Sequence, residues 1–466
     1  MADPQQAPAD RSPDHPPGCP LPTWERRWVR GYVWTGVLAA MLVTMPTSLA
    51  EIAVIPPALF FLPLAHRSFS LWKETVTRPA VLALIAFYAW LAAGLLWSPN
   101  PSLGIEEAGT ARFFLVAILL TPALRVTTTG RASVIAGLCI GFLIGNAVQG
   151  LNAWALHAEG PAAFRFGRAL DRMSGWWDPA VSGTILTAAI GLHLPTSLMA
   201  QGRRRVLAIM GVFITACGLA MTGSRGGWAA SVFLVMGAGL FAMIRAGALG
   251  KGRTGTALAF MSLIASFLIV GFAFRGPITD RLERAEGQVA AALSGEVTGD
   301  TGARIAMKQE ALGAFLAHPI AGVGTGGFSS WTAGQRGADD RVAAFDHAHD
   351  TALHIAASNG IVGLALLGAV FVFTFRDGIR IARTHGLGTY HAGPLFALAG
   401  LALTTPFDTL HVSNSAAAMT GMVFALCLAP PRSSTHEPID IVADDRARNV
   451  VRQAAANHTA HAPSSA

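Results

Sequence analysis

Apolar runs of about twenty residues recur along this chain, and one soluble core cannot bury so many of them. They fall at approximately 31–47, 50–65, 79–97, 107–124, 132–156, 179–200, 205–222, 227–245, 254–275, 351–375, 390–406 and 413–430. At about 1.5 Å per residue, most are long enough to cross the hydrocarbon of a bilayer as an α-helix, with edges defined to within a few residues. A transmembrane barrel would alternate apolar and polar residues instead. Composition agrees: 52% of the 466 residues are hydrophobic and only 13% are charged, about half the charged share of a soluble domain. The fold class expected is an all-α polytopic membrane protein of about twelve spans, with one large loop that carries short helices.

The order of the runs divides the chain into a polar tail over 1–30, nine spans over 31–275, a polar loop over 276–350, three spans over 351–430 and a second tail over 431–466. Residues 1–22, rich in Pro, Ala and Asp, lack the apolar core of a signal peptide. The net charge of +7 would suit nucleic acid, but its placement points to membrane topology and to no nucleic-acid partner. Fourteen basic residues fall in loops of one side: Arg67, Lys73, Arg78, Arg125, Arg131, Arg203, Arg204, Arg205, Arg245, Lys251, Arg253, Arg376, Arg380 and Arg383. Short loops of the other side carry four, Arg165, Arg168, Arg172 and Arg225. The positive-inside rule then places both tails in the cytoplasm and the large loop outside. Cys19, Cys139, Cys217 and Cys427 are scattered and show no disulfide framework or metal-ligand spacing.

Within the spans, Gly137, Gly141 and Gly145 recur every fourth residue, a stripe that lets another helix come close. Asn146, Gln149 and Asn152 share one face of the same helix, where they serve interhelical hydrogen bonds or line a cavity. His193 is the main ionisable group inside the apolar runs. A transporter, the reading from another function class, would place more such groups near the membrane midplane.

Chemistry-bearing residues gather at outer span ends and in the loop. Thr222-Gly223-Ser224-Arg225-Gly226-Gly227 is a tight turn whose glycines permit close backbone approach to an anion. Arg172 precedes the sixth span. Either arginine can equally reach a lipid phosphate. In the loop, Asp300 or Thr301 is expected to cap a helix over Ala303–Ala317 that stops before His318-Pro319. Arg304 and Lys308 share one of its faces, and Ile305, Leu312, Phe315 and Leu316 form the apolar side. The same pattern fits a helix lying on the membrane. A second helix is expected around Ile278–Leu293. The glycine run Gly322–Gly327 lacks the Lys-Ser/Thr of a phosphate-binding loop and reads as a turn back to the membrane.

His347, His349 and His354 lie among Asp346 and Asp350 where hydrophobicity resumes. Asp350 and His354 are four apart on the starting helix, so a metal site is one reading. A general base is the other: imidazole titrates near 6.5, and a neighbouring Asp350 or Asp346 would raise its basicity.

These pieces resemble the O-antigen ligase and Wzy-type O-antigen polymerase superfamily of bacterial inner-membrane glycosyltransferases, GT-C-like in architecture. The resemblance rests on Thr222-Gly-Ser-Arg225-Gly-Gly, on Arg304, on His318-Pro319-Ile-Ala-Gly322-Val-Gly324, on His347-Ala-His349-Asp350-x-x-Leu353 and on Asn359-Gly360-Ile-Val-Gly363, in this order around a large loop. It implies transfer of a glycan from undecaprenyl diphosphate to an acceptor hydroxyl on the periplasmic face, with lipid A–core as acceptor for a ligase and another repeat unit for a polymerase. It implies no cofactor and no metal. Carried over by position, His349 activates the acceptor and Arg225 and Arg304 bind the diphosphate. Arg172, Lys308, His347, Asp350 and Ser224 stand as further substrate contacts. The family usually has Asn after this histidine, where this chain has Asp350.

Overall fold

The computed structural model describes residues 23–53, 55–61, 72–126, 129–158, 173–248, 252–294, 296–336 and 346–430. Among them all regular structure is helical, and helix is found at each of the twelve expected apolar runs. Six of these helices are long and apolar enough to cross a membrane. Along the chain they are α1 (Thr23–Leu42), α2 (Thr47–Ile52), α3 (Ile55–Phe61), α4 (Pro79–Gly94), α5 (Pro101–Ala111), α6 (Val116–Val126), α7 (Gly130–His157), α8 (Pro179–Met199), α9 (Arg203–Thr222) and α10 (Arg225–Ala248). They continue with α11 (Arg253–Ala273), α12 (Arg275–Leu293), α13 (Gly299–Ala317), α14 (Phe328–Arg336), α15 (Thr351–His385), α16 (Gly393–Thr404) and α17 (Asn414–Leu428).

Proline explains where the helices depart from the hydropathy pattern. Over the run expected at 50–65, α2 ends at Ile52, and Pro56 and Pro57 sit in the first turn of α3, where their missing N–H leaves no helical bond unmade. The run over 107–124 starts early at Pro101, where the Asn100 side chain accepts the Leu103 N–H at 3.3 Å as the cap. It then passes through a 3₁₀ turn at Arg112–Leu115. In contrast α15 runs to His385, ten residues past its apolar stretch, since hydropathy marks the membrane and not the end of the helix. The glycine stripe of α7 behaves as expected. A Cβ on Gly137 or Gly141 would lie 2.8 and 2.7 Å from the carbonyls of Val37 and Met41, so α1 packs backbone to backbone there. Gln149 makes interhelical bonds, donating to the carbonyls of Met173 and Gly218 at 2.6 and 2.7 Å, whereas Asn146 bonds within its own helix.

The core is centred on α8, 83% of whose apolar window is buried against 28% for α11. It is held between α9, α10 and α16. From one end of this 21-residue helix to the other is about 31 Å, and each end opens on a different cavity.

The loop over 276–350 is docked on the bundle and does not hang from it. Its helix α13 packs on α15, and Ala311, Ala314, Val323, Phe328, Ala348 and Ala357 form a small buried core between them. The glycine run is more than a turn. α15 is broken at Gly360 (φ 66, ψ −168), which leaves carbonyls and N–H groups unpaired in its middle. The strap 319–324 takes most of those with a partner here, and the Trp90 indole N–H donates to the Asn359 carbonyl at 2.9 Å. Val323 and Gly324 N–H donate to the Ala357 and Ser358 carbonyls at 2.9 Å, while Ile361 N–H donates to the Pro319 carbonyl at 2.8 Å. Gly322 has room for no side chain, since a Cβ would stand 2.3 Å from the Ser358 carbonyl carbon.

Candidate functional site

The site is assembled from α13, the start of α15 and the link 405–413 between α16 and α17. α13 begins at Gly299, four residues before expectation, and neither Asp300 nor Thr301 caps it. Its open end is closed from α12, where Gln288 Oε1 accepts the Thr301 N–H at 3.0 Å. Nor do Leu312 and Leu316 form its packing side: both are exposed, and Ala303, Ala306, Met307, Ala311 and Ala314 are buried instead. Small residues win this face because they let α13 lie close on α15. That choice of face turns Arg304 toward the membrane bundle. Its Nη1 donates to the Phe407 carbonyl at 3.4 Å, and Lys308 Nζ donates to the neighbouring Pro406 carbonyl.

Beside this seam lies a cleft of about 500 Å³ at the first end of α8. Its polar walls are Arg304, His347, His349, Asp178, Asp300 and Asp408. The His349 backbone is left-handed (φ 47), the one such non-glycine among the described residues, at a cost of ~1–2 kcal/mol. The two imidazoles stack edge to face with centroids 4.3 Å apart. Burial, then the nearby His354 and His411, then Arg304, push His347 down to about 4. His349 is pushed to about 2 by burial, then Arg304 and its neighbouring histidines, and then Lys308. Both rings are therefore neutral near pH 7. The expected help from Asp350 is not there: its carboxylate caps α15 by accepting the Leu353 N–H at 3.0 Å and pairs with Lys308 at 3.2 Å. Asp350 thus holds the start of α15, and burial first, then Arg304 and the neighbouring histidines, lowers the basicity of His349. Asp346 is exposed.

Asp408 was not legible as a site residue. It is buried, its Oδ2 accepts the Thr184 hydroxyl of α8 at 3.0 Å and its Oδ1 accepts the Thr409 N–H at 2.9 Å. Burial raises its carboxyl above the ordinary range, against the pull of those hydrogen bonds and of Arg304. With Asp178, which caps α8 by accepting the Ala180 N–H at 2.9 Å, it offers acceptors of the kind that bind sugar hydroxyls.

His354 leaves the group in which the metal reading placed it. It is fully buried, with Nε2 3.2 Å from Glu107 Oε1, and His411 Nε2 reaches the same oxygen at 3.1 Å. Glu107 Oε2 accepts the Gly326 N–H at 3.0 Å. One carboxylate thus joins α5, the glycine run, α15 and the link 405–413. The expectation that the apolar runs hold almost no ionisable group but His193 fails here, at Glu107 and His354; Arg131, expected in a loop, is 1% exposed. Glu107, His354 and His411 are the described residues placed to hold a metal ion, their ligand atoms lying within 4.8 Å of one another. Their surroundings fit a hydrogen-bonded cluster better. A ligating imidazole passes its other N–H to an outer acceptor, and the Nδ1 atoms of His354 and His411 are buried with no hydrogen-bond partner among the described residues. As Nε2–H donors to Glu107, both rings keep a bare Nδ1, cheaper to leave unmet than a buried N–H.

The Thr222–Gly227 turn serves packing. Ser224 is buried and its Oγ accepts the Gly227 N–H at 3.3 Å, capping α10. A Cβ on Gly227 would lie 2.8 Å from Gly183 Cα of α8, and one on Gly226 would lie 2.4 Å from Phe407 Cβ. The close approach that these two glycines permit is to helix and link. Arg225 is half-buried with Nη1 3.4 Å from the Arg281 carbonyl of α12. It does not line the cleft, but its turn and Arg304 meet at Phe407. Arg172 lies outside the described residues.

Residues 210–368 match the model of the O-antigen ligase family. The motif residues from Thr222 to Gly363 all fall within that match, which bears out the family resemblance. No curated protein matches the chain.

Proposed function

From the O-antigen ligase domain over residues 210–368, we propose that this protein is an O-antigen ligase-type glycosyltransferase of the bacterial inner membrane. It moves a glycan from undecaprenyl diphosphate to a sugar hydroxyl of lipid A–core, in a cleft that faces the periplasm. The observation that supports this most is the meeting of Arg304, His347 and His349 in one cleft at the membrane end of α8 and α15.

Arg304 spends one N–H on the Phe407 carbonyl and keeps the rest of its fork for phosphate oxygens. Arg225, across Phe407, holds the far side of the diphosphate. His349 takes the proton of the acceptor hydroxyl as its oxygen attacks the anomeric carbon. The bond from that carbon to the phosphate oxygen breaks, undecaprenyl diphosphate leaves, and one displacement inverts the centre. Because Arg304 and Lys308 lower the basicity of His349, an empty cleft holds a weak base. A bound diphosphate offsets those cations and raises it. The base thus becomes competent when the donor is in place, and water is a poor competitor before then.

The test is deletion of the gene with comparison of surface lipopolysaccharide and lipid-linked glycan. A ligase is shown by long glycans that accumulate on the lipid carrier above a bare core. Cores that carry a single repeat unit identify a polymerase, and unchanged profiles for both pools refute the proposal.

A further inference from the structure

The second end of α8 opens on another cavity, of about 990 Å³, which the transfer reaction does not use. Its lining holds Arg203, Arg204, His193, His385, His391 and Tyr390, and no carboxylate. Arg203 and Arg204 are exposed at its rim, in the first turn of α9, whose N-cap Gly202 supplies no side-chain hydrogen bond. The first N–H groups of that helix and the positive end of its dipole therefore lie at the same helix end as the two guanidinium groups.

A buried charge stands behind the wall. Arg131 is 1% exposed. Its donors go to the Leu426 and His391 carbonyls at 3.0 Å and to His391 Nδ1 at 2.9 Å, not to a carboxylate. A guanidinium only donates, so Nδ1 of His391 must accept, and the ring proton is fixed on Nε2 at the far side of the ring. His391 lines the cavity, and its one ring N–H is the Nε2–H that Arg131 leaves free of its own contact. Thr196, Thr389 and Gln201 add hydroxyl and amide groups.

We propose that this cavity binds a phosphate group, the anion that suits two guanidinium forks, an oriented imidazole N–H and an uncapped helix start. The phosphate is that of an anionic lipid headgroup of the adjacent leaflet or a free phosphate. The site lies a full helix length from the transfer cleft and is independent of the proposed reaction.

The experiment compares the full-length protein with an Arg203→Gln/Arg204→Gln variant, and with Arg253→Gln as a control for charge alone; Arg253 is an exposed arginine at the start of α11. Isothermal titration in neutral detergent measures inorganic phosphate. Native mass spectrometry after extraction from phosphatidylglycerol nanodiscs measures retained lipid. Retention of phosphatidylglycerol that falls about tenfold in the double variant and not in Arg253→Gln assigns a lipid phosphate. Phosphate binding with the same pattern and without lipid retention assigns the free anion. Equal binding by all three proteins, or none to the wild type, overturns the proposal. Substituting exposed side chains leaves the fold in place, and a thermal melt of each variant checks this.

Discussion

The protein holds two histidine pairs side by side, His347 with His349 before α15 and His354 of α15 with His411 of the link 405–413, and their surroundings are opposite. His347 and His349 face a cleft beside Arg304 and Lys308. His354 and His411 are sealed from solvent around the Glu107 carboxylate. Burial first, and then neighbouring positive charge, makes the first pair poor at holding a proton. A carboxylate makes the second pair a fastening between four segments. Sequence places His347, His349 and His354 in one cluster, and a single turn of helix separates chemistry from scaffold.

Removing a member of each pair should therefore break different properties. His349→Ala is expected to cut transfer by roughly 10²–10⁴-fold with donor binding and melting nearly unchanged; single-turnover transfer by the purified enzyme is the measurement. His347→Ala should be milder. A dead His347→Ala enzyme beside an active His349→Ala enzyme would reverse the assignment. Glu107→Ala should lower stability by about 3–5 kcal/mol, because it strands two buried imidazoles and the Gly326 N–H. Denaturant or thermal unfolding in detergent reads this, and an unchanged midpoint would remove the fastening role. Chelation before the melt should leave the wild-type midpoint in place, whereas a fall restored by one divalent ion would make Glu107, His354 and His411 a metal site.

The smallest effect is on pH dependence, and it sharpens the contrast. Both cleft histidines have folded values below the ordinary 6.5, about 4 and about 2. The unfolded chain then binds more protons than the folded one, so their contribution is present above pH 6.5 and is lost as pH falls toward the folded values. Wild type should lose stability between pH 6.5 and 4 more steeply than a His347→Gln/His349→Gln variant, though partial exposure of the cleft moderates the difference. Parallel curves would show that burial and the nearby cations do not hold these rings below their ordinary value.

Much of the architecture was legible in the sequence because membrane helices are written in consecutive residues. α13 was legible for the same reason, and Arg304, His347 and His349 were legible as candidates because each sits beside recognisable neighbours; the structure brings the three to one cleft. Glu107 was not. Its partners are 247 and 304 residues away, and a lone Glu near an apolar run looks like a helix end. Asp408 was missed likewise, as its partner Thr184 is 224 residues distant. The packing face of α13 was misread because alanine counts for little in a hydropathy pattern yet decides how close two helices can lie.

The break in α15 bears on how the protein is made. An interrupted helix entering lipid alone would carry unpaired carbonyls at a cost of several kcal/mol each. The strap 319–324 that pairs them precedes α15 in the chain, so it leaves the ribosome first. The two can enter the bilayer as one hairpin with the donors already waiting. A circular permutation that placed α15 ahead of its strap would keep every residue of the mature protein and deprive the break of its partner at the moment of insertion.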